Sequence, residues 1–192
     1  HSASLLPRGV LSSGGPLSGL IKGETRFLGI RDKGTRFVYV LDRSASMFSH
    51  HALEVAKAEL IASIRQLDET QQFQVVFYNK TFSLLSLGKK TNTVYTATEI
   101  NKRLASQQIA AVMAAGGTQH YPALRKALSL EPEVIYFLTD ADVNTQLAPG
   151  ELAKLIGRNR GRCRIHAIKF GLGAELINNH NVKQLALRNG GK

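Results

Sequence analysis

The stretch VYVLDRSASM, residues 38–47, sets an aspartate and two serines at alternate positions directly after an apolar run: Asp42, Ser44 and Ser46. Alternate residues of an extended chain point to the same side, so these three side chains can converge. A second apolar run, EVIYFLTD (133–140), also ends in an aspartate, Asp140, and Thr118 stands in a glycine-flanked loop, AAGGTQHY. All five are small oxygen donors, with no sulfur and no obligatory imidazole among them. Such a set suits a hard divalent cation, Mg²⁺ first and Mn²⁺ or Ca²⁺ as alternatives. Mg²⁺ takes oxygen ligands in near-octahedral geometry at about 2.0–2.1 Å. Gly116 and Gly117 let the backbone come close enough for the Thr118 hydroxyl to reach in. Two aspartates against a divalent ion leave a charge near zero, and the other donors are neutral hydroxyls. A bound ion then keeps an affinity for one more anionic oxygen, which a third tight carboxylate would quench.

Other roles compete for the same residues. Ser44 and Ser46 could cap the helix that follows them. Asp140 could be a solvated strand end, and Asp142 reads as one. His50, His51 and His120 lie near the same rim and raise a zinc reading, against which stands the commonness of surface histidines. The single cysteine, Cys163, opens an apolar strand and reads as a core residue; alone it can form neither an intrachain disulfide nor a zinc site. Enzyme readings lack parts. No G-x-x-x-x-G-K-[ST] phosphate loop and no G-x-S-x-G elbow occur. A haloacid-dehalogenase-like phosphatase needs a second aspartate where Ser44 stands, and no general base is set beside a nucleophile.

The elements that must position these residues follow from the apolar periodicity. Residues 1 to about 23 are rich in Gly, Ser, Leu and Pro and read as a linker or loosely docked arm. TRFLGI, from Thr25, suits a short edge strand, and RFVYVL (36–41) a strand buried on both faces. ALEVAKAELIASIRQL (52–67) carries Leu53, Ala56, Leu60, Ile61, Ile64 and Leu67 on one helical stripe. QFQVVFY and TFSLLSL flank Asn79-Lys80 at hairpin spacing, which makes one antiparallel member in a chain otherwise ordered strand–helix. TATEINKRLASQQIAAVMAA reads as a helix opened by a Thr96–Glu99 capping box and stopped by Gly116-Gly117. Pro122 suits the first turn of PALRKALSL. Beyond strand 133–140 come a helix around GELAKLIG, a strand CRIHAIKFG and a last helix VKQLAL. Alternation of this kind predicts a doubly wound, mostly parallel α/β sheet with one antiparallel edge strand and helices on both faces. Ligands bind such sheets at the carboxyl ends of the strands, where Asp42 and Asp140 stand.

The D-x-S-x-S run at 42–46, a threonine in a Gly-Gly loop and an aspartate after FLT together resemble the metal-ion-dependent adhesion site of von Willebrand factor type A domains. The order of elements agrees from about Thr25 to the end. The resemblance implies a Rossmann-like fold over residues 25–192, with 1–24 as the arm. It implies that Ser44, Ser46 and Thr118 contact a metal directly or through water, with Asp42 and Asp140 as direct ligands or one step behind. It also implies a binding module, without catalysis, whose metal bridges to an Asp or Glu of a partner protein. The sequence departs from the pattern at Ala45 and Ala141, where glycines are usual, and neither change removes a ligand.

Composition bounds the alternatives. A chain of 192 residues, 43% hydrophobic and 20% charged, suits one soluble domain. Its longest apolar run, Ile109 to Ala115, is far below the ~18 residues of a membrane span. No signal peptide is visible and the first residue is His1, so a piece of a longer protein is expected, with an extracytoplasmic domain of a membrane-anchored or exported protein as its setting. The formal charge is +11, and from Leu147 onward nine basic residues stand against two acidic ones, a net +7. The rival to metal-dependent adhesion is therefore metal-independent binding of nucleic acid or another polyanion through this basic region. A metal-assisted phosphohydrolase is a third reading. The run RNRGRCR itself reads first as a solvated helix end.

Overall fold

The computed structural model describes residues 22–88, 93–140, 147–170 and 180–192, without the side chain of His50. The N-terminal arm therefore lies almost wholly outside the described residues, as do Ala141 and Asp142.

The apolar runs become the strands. β3 (Arg36–Asp42), β4 (Gln72–Tyr78), β7 (Val134–Thr139) and β8 (Arg164–Lys169) lie parallel, with β3 between β4 and β7. β5 (Phe82–Leu84) and β6 (Tyr95–Thr96) both pair antiparallel with β4, so the antiparallel edge is made of two short pieces. The chain passes from β3 to β4 on one side and later returns to β7 on the other. The loops after β3 and β7 diverge there, and this is the switch point where such sheets open a crevice.

Period-two alternation sends the side chains of β3 into two cores. Phe37, Tyr39 and Leu41 pack under α1 (Ala52–Gln66) and α2 (Glu99–Ala110). Val38 and Val40 pack with α3 (His120–Leu128), α4 (Pro149–Asn159) and α5 (Asn181–Arg188). Of the stripe expected on α1, Leu53, Ala56, Leu60, Ile64 and the cap residue Leu67 are buried, and Ile61 is half-buried.

Three expectations need correction. TRFLGI is not an edge of the main sheet. β1 (Glu24–Phe27) and β2 (Ile30–Lys33) form a separate hairpin. It is docked by Phe27, whose ring lies edge-on to Tyr39 and Tyr136 at 5.5 and 5.6 Å, and by Thr25, whose hydroxyl donates to the Ser63 carbonyl at 3.1 Å. The cap of α2 is Thr98, which accepts from Asn101 N–H, while Thr96 is engaged in β6. That helix also ends at Ala110, well before the glycines. The buried Lys57 ammonium takes the carbonyls of Ala110 and Val112 at 2.8 and 3.0 Å, and Ala115 N–H is drawn to the Arg43 carbonyl. Tertiary partners thus override the helix propensity of the AAVMAA run.

Candidate metal centre at the switch point

The parallel register sets Asp42 opposite Tyr78 and places Leu41 beside Leu138, so the carboxyl ends of β3, β4 and β7 come level. Asp42 is fully buried. Its Oδ1 accepts the Ser44 N–H at 2.8 Å, and its Oδ2 accepts the Tyr78 hydroxyl at 3.1 Å and the Thr139 hydroxyl at 3.0 Å. The Ser44 hydroxyl lies 3.0 Å from that of Ser46, and against the effect of burial the Ser44 and Ser46 hydroxyls lower the carboxyls of Asp42 and Asp140 respectively. Asp42, Ser44, Ser46 and Asp140 therefore form one row of oxygens at the sheet end, tied together by the Ser44 N–H to Asp42 and the Ser44–Ser46 contact. Ser44 is buried and Ser46 exposed, so the row reaches from the sheet end to the surface.

Ser44 occupies the cap position of the short 3₁₀ segment Ala45–His51, yet its side chain makes no capping bond. The hydroxyl lies 3.0 Å from that of Ser46 instead, so Ser44 is not a side-chain cap. Ala45 replaces the usual glycine without strain, since its φ is not positive and its N–H simply donates to the Gly116 carbonyl at 2.8 Å.

That bond ties the loop carrying Thr118 to the serine loop. Asn79, at the end of β4, fixes the same loop from the other side. Its Nδ2 donates to the Ala115 carbonyl at 2.7 Å, and its carbonyl accepts Gln119 N–H at 2.9 Å. Gly116 turns here with φ +77°, a left-handed conformation that favours glycine. Thr118 is half-buried on this loop, two residues beyond the carbonyl that Ala45 binds.

Electrostatics sharpen the picture. Burial raises the carboxyl of Asp42 above its ordinary range despite the donors from Ser44, Thr139 and Tyr78. Burial also raises Asp140; the bond from Ser46 offsets this in part, while the charge of Asp42 adds to it. Tyr78 is pushed well above the usual phenol range by burial and by the neighbouring Asp42, so it is a neutral donor. Among the described residues the ion pairs are Lys57–Glu54, Lys102–Glu99 and Asp32–Arg164, and neither rim aspartate is in one. Two desolvated carboxyls without an ion-pair partner fit a cation. No group of three or more His, Cys, Asp or Glu is gathered for a metal among the described residues, so the hydroxyls would have to complete the set.

The other candidates separate cleanly. His120 is buried behind the site. Its Nδ1 lies 3.1 Å from the Tyr78 oxygen, and its ring packs edge-on to Phe137 and Tyr78, which makes it core support. His51 is exposed at the end of the 3₁₀ segment, with φ +56°. Cys163 is buried just before β8, and burial pushes its thiol up to about 12. Of the C-terminal basic residues, Arg164 is held by Asp32 at 2.8 Å, while Arg158 and Arg162 line a pocket of about 270 Å³ that also contains Glu131 and Glu133. No helix among the described residues is long and apolar enough to cross a membrane.

Sequence reasoning missed Tyr78, Thr139 and Asn79. The signal for Tyr78 and Thr139 was there, since both stand at the ends of strands flanking β3. Asn79 read only as a hairpin turn residue.

Neither a protein-family model nor a curated protein sequence matches the chain. Solved structures do. A von Willebrand factor type A protein from Catenulispora acidiphila aligns with a TM-score of 0.69 at 20% identity, over 82% of this chain and 37% of that one. An aerotolerance-related membrane protein from Bacteroides fragilis aligns with a TM-score of 0.62 at 14% identity, over 82% of this chain and 89% of that one. The manganese-loaded TRAP protein of Plasmodium vivax aligns with a TM-score of 0.52 at 16% identity, over 79% of this chain and 61% of that one. The chain thus spans little more than a third of the Catenulispora protein's length.

Proposed function

We propose that this chain, which has the von Willebrand factor type A fold, is a divalent-metal-dependent protein-binding module, an adhesion or scaffold domain of a larger protein. The observation that carries this reading is the row of oxygens Asp42, Ser44, Ser46 and Asp140, with a buried carboxyl at Asp42 and a half-buried one at Asp140, neither in an ion pair among the described residues. Ser44, Ser46, Thr118 and Asp140 would hold the ion. Asp42, already accepting from Ser44, Tyr78 and Thr139, orients the serine loop beneath it. When bound, the ion supplies a positive charge that draws in a carboxylate of the partner.

An all-oxygen donor set favours Mg²⁺, with Mn²⁺ or Ca²⁺ as alternatives. The manganese in the Plasmodium vivax structure supports a divalent ion in this fold. Binding rather than catalysis is supported by the rim hydroxyls, which bond to carboxylates and to one another, and by His120 being turned to Tyr78. The Bacteroides neighbour is a membrane protein, which supports an extracytoplasmic, membrane-anchored or exported setting.

The test is thermal melting of the chain in chelator and in rising Mg²⁺ or Mn²⁺. An ion at about 100 times its dissociation constant adds roughly 2.7 kcal/mol. The response should disappear in Asp140→Ala. Equal metal responses in the wild type and the variant would sink the reading.

A further inference from the structure

Directly beside the serine loop, two large apolar side chains stand out of the surface: Phe48 is 82% exposed and Met113 is 77% exposed. They rim a pocket of about 330 Å³ whose apolar lining also includes Met47, Leu53, Val112 and Ala114. Paired exposed apolar groups over a preformed pocket mark an interaction site better than scattered ones do.

Two backbone contacts anchor the rim of the pocket. Met47 is fully buried, and its N–H donates to the Ser44 carbonyl at 3.1 Å, so Phe48 is held one residue beyond an anchored position. Met113 is held through its carbonyl, which accepts from the Arg43 guanidinium at 3.4 Å. The buried Lys57 in the wall is already used, bonding to Glu54 and to the carbonyls of Ala110 and Val112, which leaves the exposed Glu54 and His51 as the polar groups of the lining. What the pocket offers an incomer is therefore mainly the apolar surface of Met47, Phe48, Leu53, Val112, Met113 and Ala114.

The flank toward the Thr118 loop is basic. Arg43 lies against Met113, and the Lys80 side chain packs over Gly117, its Cε 3.1 Å from where a Cβ would sit. We infer that the Phe48–Met113 pocket takes a bulky aliphatic or aromatic side chain from a segment of another protein that also carries an Asp or Glu within a few residues. The acid would lie over the Arg43–Lys80 side of the rim, where the serine row ends. A second copy of this chain fits poorly, because two surfaces of a chain with net charge +11 repel. The inference rests on the proposed metal reading for the position of the acid, and on the pocket alone for the apolar residue.

A random 12-residue peptide display library selected on the chain in Mg²⁺ tests it. Selected peptides should pair an acid with a bulky apolar residue at a fixed spacing. The chain has only two methionines, Met47 and Met113, so ¹³C-methyl spectra read the pocket directly. The selected peptide should move the Met113 signal. Replacing its apolar residue with Ser, or using Phe48→Ser with Met113→Ser, should weaken binding at least about tenfold, the scale of one buried apolar side chain. Both residues are exposed, so the double variant should fold, and an unchanged circular dichroism melt checks this. Binding that survives chelator yet depends on Phe48 and Met113 supports the pocket and removes the metal reading. Binding lost in chelator but unchanged in the double variant supports the metal reading and overturns the pocket. Peptides with no apolar preference, or no Met113 shift, overturn it too.

Discussion

The Asn79 side chain donates to the Ala115 carbonyl at 2.7 Å while its backbone carbonyl accepts Gln119 N–H at 2.9 Å, so one residue at the end of β4 grips the glycine loop at both ends. Asn79→Ala should cost about 1–2 kcal/mol for the lost buried hydrogen bond. It should also weaken the metal response without touching any proposed ligand. Urea melts with and without Mg²⁺ check both; an unchanged metal response would mean that the loop needs no such tether.

Gly116→Ala should act on the same loop by strain. Its φ of +77° disfavours any side chain, and the new Cβ would sit 3.2 Å from Asn79 Nδ2. The expected cost is about 1–2 kcal/mol. Combined with Asn79→Ala it should fall short of additivity, because both changes free the same segment. Strict additivity in a double-mutant cycle would show the two to be independent.

The sheet was legible because its strands are continuous apolar runs, and the rim followed because Asp42 and Asp140 end two of them. The Ser44 and Ser46 hydroxyls lie 3.0 Å apart, although Ser46 falls in the 3₁₀ segment rather than in extended chain, so extended-strand alternation does not account for the pairing. The supports were not legible. Tyr78 reaches Asp42 only through the parallel register of β3 and β4, which no local pattern encodes. The early end of α2 depends on Lys57, more than fifty residues away in the chain. The hairpin β1–β2 was misplaced for a similar reason. Its four-residue strands read alike whether they join the main sheet or dock on it through Phe27.

Asp32 on that hairpin accepts from Arg164 Nε at 2.8 Å and lies 2.7 Å from His166 Nε2, and the other ring nitrogen of His166 accepts Lys192 N–H at 3.1 Å. Burial alone would raise the Asp32 carboxyl. The bonds from Arg164, His166 and Lys33 N–H outweigh it and hold the group below the usual carboxylate range. A depressed folded pKa stabilises above the unfolded value of about 3.9, and the gain is lost as pH falls through the folded value. Asp32→Asn should therefore cost about 1–2 kcal/mol at neutral pH, and the gap from wild type should close below about pH 4. Denaturant melts across pH check this; a gap that persists in acid would assign the loss to packing.

Charge reversal at Arg158, Arg160 and Arg162 should have little effect on specific binding. Two of these three share their pocket with Glu131 and Glu133, and Arg164 is taken by Asp32. Retention on heparin should be weak and fall steeply with salt, with a log–log slope of about 0.9 per phosphate-like contact. Tight retention at physiological salt that ignores chelator and is abolished by the reversal would put the polyanion reading first.

Asp42 and Ser46 should separate stability from metal affinity. Asp42 is buried and accepts from Ser44 N–H, Tyr78 and Thr139, so Asp42→Ala removes the acceptor of three donors inside the protein. About 3 kcal/mol or more of stability should go, and the metal response with it. Ser46 is the exposed member of the same row, so Ser46→Ala should leave stability within about 0.5 kcal/mol. Its loss should appear only when metal is added, as a weaker shift in melting temperature at a given Mg²⁺ concentration. Thr118→Ala should behave like Ser46→Ala, since Thr118 lies on the loop tied to the serine loop through Gly116 and is also not fully buried. If Ser46→Ala and Thr118→Ala both keep the full metal response, the ion is not held between the two loops, and the oxygen row serves the sheet end alone.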